Sequence, residues 1–155
     1  MTSKERVLQR EQERGRAAAL DLADRAPQLT GTAIIAEEDH IPAWSEKAVY
    51  TVDMVGWPVR DGGQVYIILQ PHTPANNPGS RPADLPAIYS IKHTKDPARA
   101  KPWQAPNGTS GVYNTDECCV ETGCVWQSIV EGNVWQPSAY PAGWAYIGTV
   151  SEVQG

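Results

Sequence analysis

The stretch Asp61-Gly62-Gly63-Gln64-Val65-Tyr66-Ile67-Ile68-Leu69 decides the fold. Asp-Gly-Gly is a turn signal, because tight hairpins need the positive φ values that glycine takes at low cost. The residues after it are rich in β-branched and aromatic side chains, which fit a pleated strand. Val65, Ile67 and Leu69 point to one face of that strand, and Tyr66 and Ile68 to the other. An apolar strand on both sides predicts packing against another module or subunit.

Sixty positions later the pattern returns, with Gly123-Cys124-Val125-Trp126 standing where Gly63-Gln64-Val65-Tyr66 stood. Tyr50 and Tyr113 open the two halves, and Ile88-Tyr89 and Gly143-Trp144 close them. Each half reads as an aromatic opener, a central hairpin and an aromatic closer, so the chain is a tandem repeat. The predicted fold class is mainly β: two small three-stranded β-modules, at 41–92 and 103–150, preceded by an N-terminal α-helix within 1–30. Gly31 to His40 reads as a linker whose acidic end, Glu37-Glu38-Asp39, is solvated. Gln70 to Pro86 is a loop stiffened by prolines, Ala87 to Ile91 a short strand, and Asp96 to Gly108 a second proline-rich linker containing Trp103.

The helix is read from Thr2 to Arg25, which is rich in Glu, Gln, Arg, Ala and Leu. Pro27 stops it. Leu8, Gln12, Gly15, Ala19, Leu22, Ala26 and Leu29 recur at alternating spacings of four and three, the stripe of a coiled coil. The seam is narrow, and predicts an oligomerising or docking helix, with a homotrimer expected. An amphipathic helix lying on its own domain is the other reading of the same stripe.

Composition excludes several function classes. With 13 Gly, 13 Pro, 6 Trp, 6 Tyr and no Phe, the 155 residues favour short strands and turns over long helices. The net charge of −5 carries no basic face, so nucleic acid is not an expected partner. No stretch approaches the roughly 20 apolar residues of a membrane span, and no signal peptide is read at the N-terminus. Cys118, Cys119 and Cys124 lack the paired spacing of a zinc site and read as small thiols, so no metal and no cofactor are expected. No nucleophile elbow, zinc-protease helix or phosphate loop occurs, and the carboxylates fall beside turns; no catalytic residue is assigned and the chain is read as a non-enzyme.

Taken together, Pro42-Ala-Trp44, Val49-Tyr50-Thr51, Gly63-Gln-Val-Tyr66, the loop from Gln70 to Arg81 and Ile88-Tyr89 resemble family 5/12 carbohydrate-binding modules. Gly111-Val-Tyr113, Gly123-Cys-Val-Trp126, Pro137, Pro141 and Trp144-Ala-Tyr-Ile-Gly148 repeat the resemblance. It departs at one place: the tryptophan pair that stacks on sugar in chitin-binding members is replaced by Leu69-Gln70-Pro71-His72 and by Gln127-Ser128-Ile129. A short helix followed by two such modules also resembles small proteins encoded among bacteriophage tail and virion genes. That likeness implies a virion surface protein, assembled in the host cytoplasm, in a tail, baseplate or head fibre or as a decoration protein. Its partners would be phage structural proteins and host cell-surface glycans. A purely structural adaptor that binds other virion proteins and no sugar is the alternative, and a chitinase accessory domain a third reading.

Sugar recognition lays flat aromatic side chains against the apolar faces of pyranose rings. The carbohydrate-binding candidates are Trp57, Tyr66, His72, Trp103, Trp126 and Trp135, whereas Trp44, Tyr89 and Trp144 are expected in the core.

Overall fold

The computed structural model describes residues 2–108 and 110–155. Thr2 starts helix α1 (Ser3–Arg25): its hydroxyl accepts from the Glu5 amide, while the Glu5 carboxylate accepts from the Thr2 amide. A 3-10 turn at Ala26–Gln28 follows, with Pro27 ending the α-helical bonding. Thr30 then caps a second helix, α2 (Gly31–Ala36), and a 3-10 turn covers Glu38–His40. The stretch expected as a linker is therefore ordered structure. Six helical residues are too few to show a period, yet Ile34 and Ile35 are both buried. Its acids are not simply solvated either: Glu37 pairs with Arg25, and Glu38 with Arg99 and Lys101.

The first sheet is antiparallel, in the order β1 (Pro58–Asp61), β2 (Gln64–Ile68), β3 (Tyr89–Lys92). The second is four-stranded: β4 (Lys101–Pro102), β5 (Cys118–Glu121), β6 (Cys124–Ser128), β7 (Trp144–Thr149), with β4 parallel to β5. A terminal helix, α3 (Val150–Gln154), packs Val150 and Val153 on Ala100, Cys118 and Val125. Helical turns make up 36% of the chain and strands 25%, so the class is mixed α/β and not mainly β. Much of the helical share is single 3-10 turns at prolines, which a residue-by-residue reading takes for loop.

Strand β2 is buried along its whole length. Val65 and Ile67 pack into a cluster with Leu22, Ala26, Ile34, Ile35 and Ile41. Tyr66 and Ile68 join Tyr50, Val59 and Tyr89 on the opposite face. The two-sided burial is as the alternation predicts, but the cover on the first face is the chain's own N-terminal segment. Each large aliphatic buried there contributes on the order of 2 kcal/mol. The same cluster consumes the C-terminal end of the helical stripe, because Leu22 and Ala26 are core and Leu29 packs beside them. Leu8, Gln12 and Gly15 stay exposed.

The two halves match bond for bond. Both hairpins turn through two residues with positive φ, Gly62 (58°) and Gly63 (78°) in one, Thr122 (52°) and Gly123 (74°) in the other. Tyr50 and His72 exchange backbone hydrogen bonds, as do Tyr113 and Asn133. Trp44 donates its amide to the Arg60 carbonyl at 2.7 Å, and Trp103 donates to Val120 at 2.9 Å, each beside a short parallel pairing. Trp103 is thus the counterpart of Trp44, opening the second sheet, and is not a clamp in a linker. That pairing extends over two residues in the second half, which is why its sheet counts four strands and not the expected three.

The halves meet around His93, just after β3. Its ring stacks on Tyr113 with centroids 3.7 Å apart, and Nε2 lies 2.8 Å from the Gly111 carbonyl, to which it donates. Helix α2 closes this junction: a Cβ on Gly31 would collide with the His93 carbonyl, and Thr32 accepts from the Lys95 amide. Burial lowers the His93 pKa from 6.5 to about 4, overcoming the opposing effect of the Gly111 bond. The unfolded chain therefore takes up a proton, near pH 6.5, that the native state refuses until about pH 4. Stability is complete above that window and falls through it by about 3 kcal/mol. Urea unfolding at a series of pH values should show this loss, and His93→Gln should flatten the slope between about pH 6.5 and 5.

Candidate functional site

The six aromatic candidates are not gathered into one site. Tyr66 is 3% exposed and donates its hydroxyl to Gln104 Oε1 at 3.1 Å. Trp57 is half-buried against the first aromatic cluster, and Trp103 and Trp126 against the second. Only Trp135, 56% exposed, has most of its surface in solvent.

His72 belongs to a relay inside the first half. Its Nε2 lies 2.5 Å from the Tyr89 hydroxyl, and its Nδ1 2.9 Å from the Gln70 carbonyl. A carbonyl can only accept, so Nδ1 carries the proton and Nε2 accepts from Tyr89. The Tyr89 oxygen in turn accepts from Trp44 Nε1 at 2.7 Å. Every polar side-chain atom of this relay is matched, which leaves His72 no free nitrogen for a ligand. Burial pushes the Tyr89 hydroxyl up to about 12 against the lowering effect of the Trp44 bond, so it stays protonated and donating.

In the second half Tyr89 is replaced by Trp144, and an indole cannot accept. The buried Trp103 Nε1 accordingly has no partner among the described residues. Trp144 instead donates its own Nε1 to the Trp135 carbonyl at 2.9 Å. Asn133, which stands where His72 stood, accepts from the Trp135 amide at 3.2 Å and donates to Ser128 Oγ and the Gly143 carbonyl. Two differences in the core, Trp144 for Tyr89 and Asn133 for His72, direct the network to the Trp135 backbone in place of the module interior.

Trp135 sits edge-to-face with Tyr140, centroids 5.3 Å apart, over a shallow recess of about 270 Å³ shared with Ala139. The loop between them is held by Glu121, whose Oε1 accepts from the Ser138 amide at 3.0 Å, and by buried Pro137. A side chain on Gly143 would strike the Tyr140 ring. Gln136 and Ser138, hydrogen-bonded to each other at 3.1 Å, form a polar rim. A second aromatic pair, Trp126 and Tyr146, also lies at 5.3 Å, where an irregularity in the β6–β7 register leaves Tyr146 and Ile147 both outward. Sequence reasoning missed Tyr140 and Tyr146; the available signal was Tyr140 bracketing the Pro137 loop opposite Trp135.

The thiols offer no comparable chemistry. Burial pushes Cys118 up to about 12 and raises Cys119 as well, so both stay protonated at neutral pH and behave as small apolar groups. Among the described residues no helix is long and apolar enough to cross a membrane.

Tyr89→Phe removes the shared hydroxyl and leaves both Trp44 Nε1 and His72 Nε2 unmatched. It should cost about 1–3 kcal/mol in chemical denaturation, well above an exposed tyrosine change such as Tyr146→Phe.

Comparison of the chain with models of known protein families finds no match, and comparison with curated proteins finds none either.

Proposed function

We propose that this chain is a non-catalytic attachment protein of a bacteriophage virion surface, whose second β-module binds host-surface glycan through Trp135 and Tyr140. The observation that carries the reading is the platform itself. An exposed tryptophan is fixed at its amide by Asn133 and at its carbonyl by Trp144, with an aromatic partner and a polar rim. Stacking on sugar needs such a rigid flat surface, because ordering a mobile one would consume the modest gain per ring. The first module has buried Pro74 and the closed His72 relay at the corresponding place, and acts as scaffold. The phage setting draws on the sequence resemblance of the helix-plus-two-modules arrangement.

Helix α1 supports the remaining part of the reading, attachment to the particle or to other copies. Of its 23 residues only Leu22 and Ala23 are buried, and Val7, Leu8 and Leu20 are each about half exposed. A helix with so little of its surface buried is marginal by itself, so contact with a partner stabilises it in the particle. A trimer through the Leu8–Gln12–Gly15 stretch would multiply weak single sites into firm adhesion. The structural-adaptor alternative rests on this same exposed helix.

Trp135→Ala should weaken binding of the intact protein to host cell-wall glycan at least tenfold on a glycan array, with little change in unfolding temperature. Equal binding by the variant, or no glycan bound at all, would overturn the sugar reading. By light scattering the intact chain should be a trimer and Leu8→Asp a monomer; a one-chain mass for both refutes self-association.

A further inference from the structure

The groove between the first hairpin and Trp44, about 440 Å³ in volume, lies away from the Trp135 platform and has a different chemistry. One wall is aromatic and ionic. The Arg81 guanidinium stands 5.1 Å from the Trp44 ring centroid and binds both oxygens of Asp61 through Nε and a terminal nitrogen. The floor is Gln64, 5% exposed, whose Nε2 donates to the Pro102 carbonyl at 2.5 Å. Its Oε1 is buried with no donor among the described residues. A buried acceptor with no donor is a stability cost.

Arg60 supplies the second unspent group. Its Nε donates to the Ile41 carbonyl at 2.5 Å, which fixes the base of the fork, and its terminal nitrogens have no partner among the described residues. A guanidinium held this way presents the geometry that takes carboxylate or phosphate in two parallel bonds. The groove lining carries three cations, Arg60, Arg81 and Lys101, against Glu38 and Asp61. It is locally positive on a chain whose net charge is −5. Its volume suits one or two sugar rings, since small-ligand pockets run from about 300 to 1,000 Å³.

We propose that this groove is a second saccharide subsite, specific for an acidic sugar. A carboxylate or phosphate of the sugar takes the terminal nitrogens of Arg60, and the ring lies along the wall formed by Trp44 and Arg81. The proposal rests on the reading of the chain as glycan-binding, but on different residues, and it divides the work: a neutral ring on Trp135, an acidic one on Arg60. A neutral sugar leaves the Arg60 fork unmatched, and a nucleic acid would find no basic stripe to follow.

The test is calorimetric titration of the full chain with trigalacturonate as the carboxylate probe, glucose 1-phosphate as the phosphate probe, and maltotriose as the neutral control. At least one acidic probe should bind, more weakly as salt rises. Arg60→Ala, at an exposed side chain, should weaken it tenfold or more while keeping the circular dichroism of the parent. Trp135→Ala should leave it unchanged, which separates this groove from the platform. Binding of neither acidic probe, binding that survives Arg60→Ala, or binding abolished by Trp135→Ala would each overturn the proposal.

Discussion

Two-sided burial of strand β2 is the constraint on which the rest of the structure depends. A hairpin of two short strands is marginal in water, and a strand with apolar residues on both faces needs two covers. One cover is the aromatic cluster around Tyr89; the other is assembled from Leu22, Ala26, Ile34, Ile35 and Ile41. The helical segment thus completes the first half's core, and residues 22–41 belong to it as firmly as any strand. Only the part of α1 before this anchor is free to serve another purpose. The ion pairs of Glu37 and Glu38 fasten the same segment to Arg25 on one side and to Arg99 and Lys101 on the other. The exposed Arg25–Glu37 pair contributes little and mainly fixes orientation, whereas Glu38 and Lys101, each 19% exposed, are less screened by solvent.

The second half shows what happens when the same scaffold is covered differently. Its β6 carries Ser128 where β2 carries Ile68, and its β5 carries Cys119 where β1 carries Val59. With fewer apolar atoms in the middle, larger rings take over at the ends: Trp126 for Tyr66 and Trp144 for Tyr89. The exchange at Trp144 has an electrostatic consequence, because a hydroxyl that both donates and accepts gives way to a donor alone. Trp103 loses its acceptor and the Trp135 backbone gains a donor. A buried unmatched indole is a stability cost.

Some of this was legible in the residues. Turn chemistry is local, so Gly62-Gly63 and Thr122-Gly123 announce both hairpins, and the sixty-residue offset between them exposes the repeat. Helix α2 was not legible, because its six residues carry too little pattern and its burial depends on where β2 lies. Trp103 was misread because it follows Pro102 and stands in a proline-rich run, whereas its backbone partner, Val120, lies seventeen residues further on. Exposure of the tryptophans was beyond the sequence for a physical reason. Alternation assigns a side chain to a face, but when both faces have covers the face does not say which residue reaches solvent. His72 looked like a rim residue and is committed to Tyr89, a bond that only the fold brings together.

The divergence of the halves also bears on what a duplicated scaffold can do. In the first half the polar atoms near the sheet end are closed into the Trp44–Tyr89–His72 relay, and what is left unspent lies at the hairpin, in Arg60 and Gln64. In the second half the hairpin position of Gln64 is Cys124, a thiol with weak hydrogen-bonding capacity, and no arginine stands at Val120, the counterpart of Arg60. What the second half keeps unspent lies at the opposite end, in the rings of Trp135 and Tyr140. The two halves therefore do not duplicate one surface. The first half closes its buried hydrogen bonds at the sheet end and leaves a charged groove at the hairpin, whereas the second uses Asn133 and Trp144 at the sheet end to hold the exposed Trp135. That asymmetry follows from side-chain chemistry at four matched positions, Arg60/Val120, Gln64/Cys124, His72/Asn133 and Tyr89/Trp144, on hairpins that share one backbone register.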